Sequence, residues 1–384
     1  MQSLAAQSRV VAVAPVPRAQ GAPRATAARR NARQVVRAYP AGRPAPPESD
    51  LPLGTGLPGI NVISPISQWP EGIPPVMGGH LMHSGAAAPL SQSKGPGIDV
   101  APLVFEYPSG EGSVGVEVFP TREAVTEPLA ERLVSASHAA IAKKGSYAVA
   151  LSGGSLPHSL ATLPDRSDAD FSKWYFLFAD ERNVPHDSPD SNLRLAREAF
   201  LQRLVDERGL PESHVLKLAL DAQGRPLPSA QAATQYAGQL LSLPAVFPEG
   251  PDGMPAVDEV LLGVGPDGHT ASLFPNFPQL ADTRDVVLSI DDSPKPPPSR
   301  ITLSLPAINA AARVLVVALG AGKAEIVQRA LEVQALPGAL PCQLVRPKTG
   351  DLVWILDQDS AANLSIPDWA LKGRKSPFPR SDVK

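Results

Sequence analysis

The sequence predicts an α/β fold, with a mainly parallel sheet and helices on both of its faces in a Rossmann-like arrangement of three layers. Two observations support this prediction. From residue 113 onward, short apolar runs rich in Val, Leu and Phe alternate with longer amphipathic stretches, which is typical of an α/β domain. Most of these runs are apolar throughout, as expected for strands that are buried on both faces of a parallel sheet.

The individual elements follow from these runs. The first strand is predicted at 114–119, and a helix follows it because apolar residues recur three or four positions apart. The members of this stripe are Val125, Leu129, Leu133, Ala136 and Ala140. Further strands are predicted at 147–151, 174–178, 257–264, 286–290, 313–319 and 352–356, and helices at 192–205, 229–241 and 323–331. In such sheets ligands bind beyond the carboxyl ends of the strands, so functional residues are expected in the loops that begin there.

The N-terminal third of the chain has a different composition. Residues 1 to 47 contain eight arginines and no Asp, Glu or Lys, and 14 prolines lie between Pro40 and Pro108. We predict a disordered N-terminal region, with an organellar transit peptide at 1–39 and a Pro/Gly-rich linker or insert at 40–112. One folded domain is predicted at 113–370, with a short tail at 371–384. Composition alone leaves three alternatives for this segment: plastid import, mitochondrial import, or a basic tail without a targeting role.

Composition also limits the classes of function. The formal net charge is −3, but without the eight N-terminal arginines 27 basic side chains stand against 38 acidic ones, a net charge of −11. A protein region with this net negative charge is a poor candidate for binding nucleic acid. The one cysteine, Cys342, excludes an internal disulfide and a cysteine-rich zinc site. No run of 18 apolar residues occurs, so we predict no membrane span.

The first loop of interest, Ser152-Gly153-Gly154-Ser155, follows the strand predicted at 147–151. Backbone N–H groups can converge on an anion at paired glycines, and the Ser155 hydroxyl adds a donor. Pro157 suits the start of a helix, whose N-terminus would also attract an anion. The sequence therefore favours Gly153, Gly154 and Ser155 as a phosphate-binding loop, although Gly-Gly-Ser also forms ordinary tight turns.

The second loop follows the strand predicted at 174–178 and reads Ala-Asp-Glu-Arg-Asn-Val-Pro at 179–185. A guanidinium can bind an anion while a neighbouring carboxylate orients a donor or a water. This pattern favours Asp180 as a catalytic residue and Arg182 as a substrate-binding residue. A surface salt-bridge cluster is the alternative. Asn192 is predicted to cap the next helix.

The third loop carries an apparent dinucleotide-binding fingerprint. Three glycines have the Gly-x-Gly-x-x-Gly spacing, and an acidic residue follows about twenty positions on; these are Gly263, Gly265, Gly268 and Asp291. We reject the fingerprint, because Asp267 would place a carboxylate against a pyrophosphate. Pro275 would also end the following helix after about one turn, too soon for it to cross the sheet. No cofactor is therefore predicted.

The same loop places His269 two residues after Asp267. Histidine titrates near neutral pH and can take a proton from water, and a neighbouring carboxylate can fix its tautomer and raise its basicity. The sequence favours His269 and Asp267 as catalytic residues, and backbone N–H groups of 263–268 as donors to an oxyanion. A histidine that caps or satisfies a buried helix start is the alternative. His186 and His214 stand alone in the sequence, so no metal is predicted.

The fourth loop, Gly320-Ala321-Gly322-Lys323, follows the strand predicted at 313–319. A lysine at a helix N-terminus opposes the helix dipole. Lys323 therefore indicates a bound phosphate, with a solvated helix start as the alternative. The spacing from glycine to lysine differs from that of a Walker A loop, which disfavours ATP hydrolysis.

Five segments together carry a family resemblance. They are Ser-Gly-Gly-Ser at 152–155, Asp-Glu-Arg-Asn-Val-Pro at 180–185 with Ser-Asn at 191–192, Gly-Pro-Asp-Gly-His-Thr-Ala-Ser-Leu-Phe-Pro at 265–275, Asp-Ser-Pro-Lys-Pro-Pro-Pro-Ser-Arg-Ile-Thr-Leu at 292–303 and Gly-Ala-Gly-Lys at 320–323. In this order they resemble the 6-phosphogluconolactonase family, within the larger group that includes glucosamine-6-phosphate isomerases and deaminases. The segment around His269 is the most specific of the five. One departure is Leu156, where related sugar-phosphate enzymes often carry Thr.

The resemblance implies hydrolysis of a small sugar-phosphate lactone, 6-phospho-D-glucono-1,5-lactone, to 6-phospho-D-gluconate in the oxidative pentose phosphate pathway, with water activated by His269. A deaminase or isomerase fits less well, because the Asn-Glu pair expected after its histidine is absent. A sugar-phosphate-binding protein without turnover is the second alternative. Resemblance to plastid-targeted forms favours the plastid stroma as location, with the mitochondrion or cytosol as alternatives. The oligomeric state is not predicted.

Overall fold

A seven-stranded sheet forms the centre of the described chain. The computed structural model describes residues 102–109, 112–333, 335–336 and 338–365. In spatial order the strands are β1 (Leu103–Ser109), β2 (Gly112–Phe119), β10 (Asp351–Asp357), β9 (Arg313–Ala318), β6 (Glu259–Leu262), β3 (Tyr147–Leu151) and β4 (Trp174–Phe178). Only β1 and β2 pair antiparallel; the other neighbours pair in parallel. The predicted mainly parallel sheet is confirmed.

Helices cover both faces of this sheet. They are α1 (Thr126–Lys144), α2 (Asn192–Ala196), α3 (Gln202–Glu207), α4 (Ser229–Leu241), α5 (Leu305–Asn309) and α6 (Ala324–Glu332). In β3, Ala148 and Ala150 belong to the core that α4, α5 and α6 complete. Val149 and its alternate neighbours belong to the core on the other face, with α1, α2 and α3. Successive residues of a strand point to opposite faces, so one apolar run fills two cores.

Several helix boundaries follow from local sequence. The predicted stripe of α1 is buried at Leu129 and Leu133, and the helix ends where Gly145 adopts a left-handed conformation with φ +81°, a common helix stop. The helix predicted at 192–205 is α2 and α3 joined by a π-helical turn at Arg197–Leu201. Helix α4 has the predicted bounds.

A second, three-stranded antiparallel sheet was not foreseen. Its order is β5 (Asp180–Arg182), β8 (Arg300–Leu303), β7 (Val287–Ile290). The strand predicted at 286–290 therefore exists, but its place in the parallel sheet is wrong. The charged segment β5 gives no apolar signal in the sequence. Its strand conformation depends on pairing with β8, which is distant in the sequence.

Strand β1 also differs from expectation. It lies inside the segment 40–112, for which we predict a linker, and it pairs along its whole length with β2. The high proline content of that segment obscures a short edge strand. The remainder of the segment, the predicted transit peptide at 1–39 and the tail at 371–384 lie outside the described residues.

The topology aligns the loops that the sequence singles out. Strands β9, β6, β3 and β4 are consecutive neighbours in the sheet and run parallel. Their carboxyl ends therefore lie along one edge, and the four loops that begin there are adjacent. In the part of the chain that is described, no helix has the length and apolar character that crossing a membrane requires.

Candidate active site

The loop after β6 folds tightly around its own histidine. The backbone N–H of Gly265 donates to the carbonyl of His269 (2.8 Å), and the N–H of Gly268 donates to the carbonyl of Gly265 (2.9 Å). Gly268 has φ +83°, a conformation that favours glycine. Both N–H groups are used within the loop, so the predicted oxyanion role is wrong for these two glycines.

The chain after His269 makes a turn and no helix. Thr270 and Leu273 exchange backbone hydrogen bonds of 3.3 and 2.9 Å, with Ala271 at φ +48° between them. Asp291, the acid of the apparent fingerprint, accepts hydrogen bonds from Ser229 and Ser299. A dinucleotide site needs a helix at this point and a free acid, so the geometry supports rejecting the fingerprint.

His269 and Asp267 form a hydrogen-bonded pair. Nδ1 of His269 lies 2.5 Å from Oδ1 of Asp267. A carboxylate accepts the Nδ1 proton, which leaves the lone pair of the neutral ring on Nε2. Among the described residues nothing hydrogen-bonds to Nε2. Burial lowers the pKa of His269, whereas the hydrogen bond and the charge of Asp267 raise it. Burial has the larger effect, so the pKa of His269 lies below its usual value. The imidazole is therefore a neutral base near pH 7.

Lys295, to which the sequence analysis gave no role, completes this group. Its Nζ lies 3.2 Å from Oδ1 of Asp267 and 3.2 Å from Nδ1 of His269. Although burial raises it, the pKa of Asp267 is lowered overall by its bonds to His269 and Lys295. Asp267 therefore stays ionised between two partners.

Asp180 contacts the loop after β6 through a serine. Its Oδ2 accepts a hydrogen bond of 2.7 Å from the hydroxyl of Ser272, and Nη1 of Arg300 donates to the same hydroxyl at 3.3 Å. All three residues are buried. Asp180 makes no hydrogen bond to His269. The structure thus joins the second and third loops, and the chemical role of Asp180 stays a prediction.

Arg182 lies directly opposite Arg300 in the pairing of β5 with β8. Its Nη1 donates to the carbonyl of Asp190 (2.8 Å), and its buried Nε has no hydrogen-bond partner among the described residues. Within those residues it forms no ion pair with a carboxylate. A guanidinium in this state suits an anionic ligand.

The Ser152–Ser155 loop packs against the start of α2. A Cβ at Gly153 would lie 2.0 Å from Oδ1 of Asn192, whose Nδ2 donates to the carbonyl of Asp180 (2.8 Å). Asn192 therefore links the first two loops, and the predicted cap role is wrong, because Ser191 caps α2. Gly154 has φ +72°, and Ser155 is exposed. The helix after this loop is only a four-residue 3₁₀ turn, Pro157–Leu160, so the expected helix dipole is lacking.

Lys323 and Arg122 bring two further positive charges to the same edge. Nζ of Lys323 donates to the carbonyl of Val264 (2.8 Å), and Nη2 of Arg122 to that of Leu319 (3.2 Å). Burial, then the positive charges of Lys295 and Arg122, lower the pKa of Lys323. Neither Lys323 nor Arg122 forms an ion pair within the described residues. These neighbouring cations repel one another, so a bound anion would stabilise them.

The sequence analysis missed Lys295, Arg300, Ser272 and Arg122. The first three lie in segments used for the family resemblance, which was the available signal; Arg122 had none. Within the described residues, no group of three or more His, Cys, Asp or Glu side chains is arranged to hold a metal ion.

The His269–Asp267 pair and the cations beside it at one sheet edge are groups that an acid–base enzyme for an anionic substrate requires. The family model described as glucosamine-6-phosphate isomerases/6-phosphogluconolactonase matches residues 120–354. The chain belongs to this family.

Curated relatives are similar over the same region. The rat 6-phosphogluconolactonase is 44% identical over 229 residues, 58% of this chain and 83% of the relative. The human 6-phosphogluconolactonase is 40% identical over 258 residues, 66% of this chain and 94% of the relative. A probable chloroplastic 6-phosphogluconolactonase 3 of Oryza sativa subsp. indica is 37% identical over 257 residues, 65% of this chain and 75% of the relative.

Solved structures show the same fold. The 6-phosphogluconolactonase from Trypanosoma brucei superposes with a TM-score of 0.55 at 30% identity, covering 65% of this chain and 98% of that chain. A monomeric glucosamine-6-phosphate deaminase has a TM-score of 0.50 at 19% identity, covering 65% and 99%. The second likeness concerns the fold alone.

Proposed function

We propose that the protein hydrolyses 6-phospho-D-glucono-1,5-lactone to 6-phospho-D-gluconate, a step of the oxidative pentose phosphate pathway. The observation that carries this proposal is the contact between His269 Nδ1 and Asp267 Oδ1, which leaves Nε2 of the neutral imidazole as a base. Two relatives, which are 44% and 40% identical to this chain and are matched over 83% and 94% of their own length, are 6-phosphogluconolactonases.

The proposed reaction needs one base and one acid. Nε2 of His269 takes a proton from water while the water oxygen attacks the lactone carbonyl carbon, forming a tetrahedral intermediate. The bond from that carbon to the ring oxygen then breaks, and the imidazolium returns its proton to the ring oxygen as the new hydroxyl. Asp267 holds the tautomer and stabilises the imidazolium. Water adds across the bond, and no covalent enzyme intermediate forms.

Positive groups along the same edge would hold the phosphate. Lys323, Arg122 and Arg182 each donate to a backbone carbonyl and lack a carboxylate partner among the described residues. Gly153, Gly154 and Ser155 add an exposed loop in the neighbouring position. Binding energy from a phosphate remote from the reacting bond positions the carbonyl before His269. Asp180, fixed by Ser272, would orient a sugar hydroxyl or the water.

An assay with freshly made lactone tests this proposal, because the substrate also hydrolyses spontaneously. Acid release by the full chain should exceed the background rate, and His269→Ala should lose roughly 10²-fold or more of the enzymatic rate. Glucosamine 6-phosphate serves as the second substrate. Ammonia release from it without lactone hydrolysis would favour the deaminase instead.

We infer further that residues 1–39 direct the enzyme to the plastid. This segment is rich in arginine and lacks acidic residues, as transit peptides do. Two chloroplastic relatives in Oryza sativa match this chain over 65% of its length. Imaging residues 1–50 fused to a fluorescent protein tests the inference. Mitochondrial or cytosolic fluorescence would contradict it.

A further inference from the structure

We propose that Lys295, aimed by Arg300, is a positioning residue that holds the His269–Asp267 pair in its base-competent arrangement. This inference rests on the proposed lactonase function, in which His269 takes a proton from water. It concerns a lysine that approaches the pair from the loop between β7 and β8.

Lys295 contacts the pair on the side away from Nε2. Its Nζ lies 3.2 Å from both Asp267 Oδ1 and His269 Nδ1, so a single carboxylate oxygen serves two donors. This contact restrains the carboxylate, which in turn restrains the imidazole. It also puts a positive charge next to the ring, where it disfavours the imidazolium.

Arg300 fixes the loop that carries Lys295. Its guanidinium donates to the carbonyls of Pro297 (2.9 Å), Lys295 (2.9 Å) and Pro296 (3.0 Å). Arg300 is only 3% exposed and has no ion pair within the described residues. Three carbonyls of consecutive residues thus converge on one buried cation, and this arrangement leaves the Lys295 backbone little freedom.

The same arginine is tied to the other side of the site. It donates to Ser272, which also bonds to Asp180, and its Cζ lies 5.8 Å from the ring centroid of Phe274. The Phe274 ring packs against His269 with centroids 4.8 Å apart. Arg300 therefore fixes both the loop of Lys295 and the ring that supports the imidazole.

The charges around His269 give the arrangement a chemical consequence. Three charged groups act on its titration: Asp267 and Asp180 favour the imidazolium, and Lys295 opposes it. Together with burial, Lys295 keeps the pKa of His269 below its usual value despite the carboxylate in contact. The resting base is then unprotonated, and the imidazolium formed in the reaction gives up its proton more readily to the ring oxygen.

Paired variants separate charge from packing. Lys295→Met keeps most of the side-chain length and removes the charge, whereas Lys295→Arg keeps the charge. Arg300→Lys keeps a buried cation, but an ammonium has three donors on one atom and cannot replace all four hydrogen bonds, to the three carbonyls and to Ser272. Lys348→Met is the matched control, since Lys348 is exposed and pairs with Asp252.

The first measurement is an NMR titration of the His269 imidazole, whose signal is assigned by its loss in His269→Asn. We expect Lys295→Met to move the titration to higher pH, Arg300→Lys to move it in the same direction, and Lys295→Arg and Lys348→Met to leave it near that of the unaltered protein. An unchanged titration in Lys295→Met would overturn the proposal. Because this readout requires no turnover, it stands even if the lactonase function fails.

The second measurement is kcat/KM for the lactone against pH. In Lys295→Met the acid limb should move to higher pH, so that activity falls several-fold at acidic pH and much less above neutrality. An equal fall at every pH would show a merely structural role and would also overturn the proposal. Absence of lactone hydrolysis by the unaltered protein would instead contradict the proposed function.

Discussion

Gly265 lies directly against the imidazole of His269: a Cβ at position 265 would be 2.0 Å from both Nδ1 and Cε1 of that ring, and 2.7 Å from Oδ1 of Asp267. The absence of a side chain at one position thus permits the hydrogen-bonded pair two and four residues later. The loop closes on itself with the histidine side chain folded back over its own backbone.

We therefore predict that Gly265→Ala lowers kcat strongly while the protein stays folded. The methyl group must displace the imidazole or the carboxylate, and a shift of about 1 Å in a catalytic group can cost roughly 10²-fold in rate. The measurement is kcat with the circular dichroism spectrum as a check of folding. The matched control is Gly238→Ala in α4, where a Cβ meets nothing within 4 Å. Normal kcat in Gly265→Ala would show that the pair does not act as described.

We predict that Asp267→Asn lowers kcat and moves the acid limb of kcat/KM to lower pH. Asp267 favours the imidazolium of His269 by its hydrogen bond and its charge, so its removal lowers the pKa of the histidine. The amide can also donate to Nδ1 and stabilise the wrong tautomer, and a loss of roughly 10²-fold in kcat is expected for a disabled general base. The pH profile of the variant gives both quantities. A limb that moves to higher pH would contradict the assigned contact.

We predict that Lys323→Ala mainly raises KM. Its ammonium belongs to the group of cations at the sheet edge and, among the described residues, donates only to the carbonyl of Val264. In the proposed reaction it binds the phosphate and takes no part in breaking the lactone bond. Loss of uniform binding changes KM more than kcat. Lys348→Ala, which removes an exposed lysine paired with Asp252, is the control and should leave both constants unchanged. A change confined to kcat would place Lys323 in the chemical step.

The sequence predicts the parallel sheet well because its strands are apolar on both faces; β3, β4 and α4 have the predicted bounds. It also predicts that the four candidate loops lie side by side at one sheet edge, since each follows a buried strand of the parallel sheet. The missed residues have a common physical reason. Arg122 reaches the site through the carbonyl of Leu319, and Arg300 acts by collecting carbonyls from Lys295, Pro296 and Pro297. Such contacts depend on tertiary packing and give no periodic pattern.

A buried carboxyl far from the site provides a test of stability. Glu259 in β6 is 1% exposed; Tyr147 donates to its Oε2 at 3.1 Å, Arg313 lies 3.4 Å away, and its Oε1 has no hydrogen-bond partner among the described residues. Burial, opposed by the charge of Arg313, raises the pKa of Glu259 to about 7. The folded protein therefore keeps this proton at pH values where the unfolded chain has lost it.

We predict that Glu259→Gln stabilises the protein more at pH 8 than at pH 5. Between the usual value of 4.5 and about 7, the unfolded state binds fewer protons than the folded state, so the free energy of unfolding falls as the pH rises. The full loss above pH 7 is about 3 kcal/mol at 1.36 kcal/mol per unit. Glutamine keeps an acceptor for Tyr147 and cannot ionise, so the variant escapes this loss.

Urea unfolding at the two pH values measures the difference in the free energy of unfolding between the variant and the unaltered protein. Burial also raises the pKa of Glu181 to about 7, but Glu181 is present in both proteins and its titration cancels in the comparison. An equal difference at both pH values would contradict the raised pKa of Glu259.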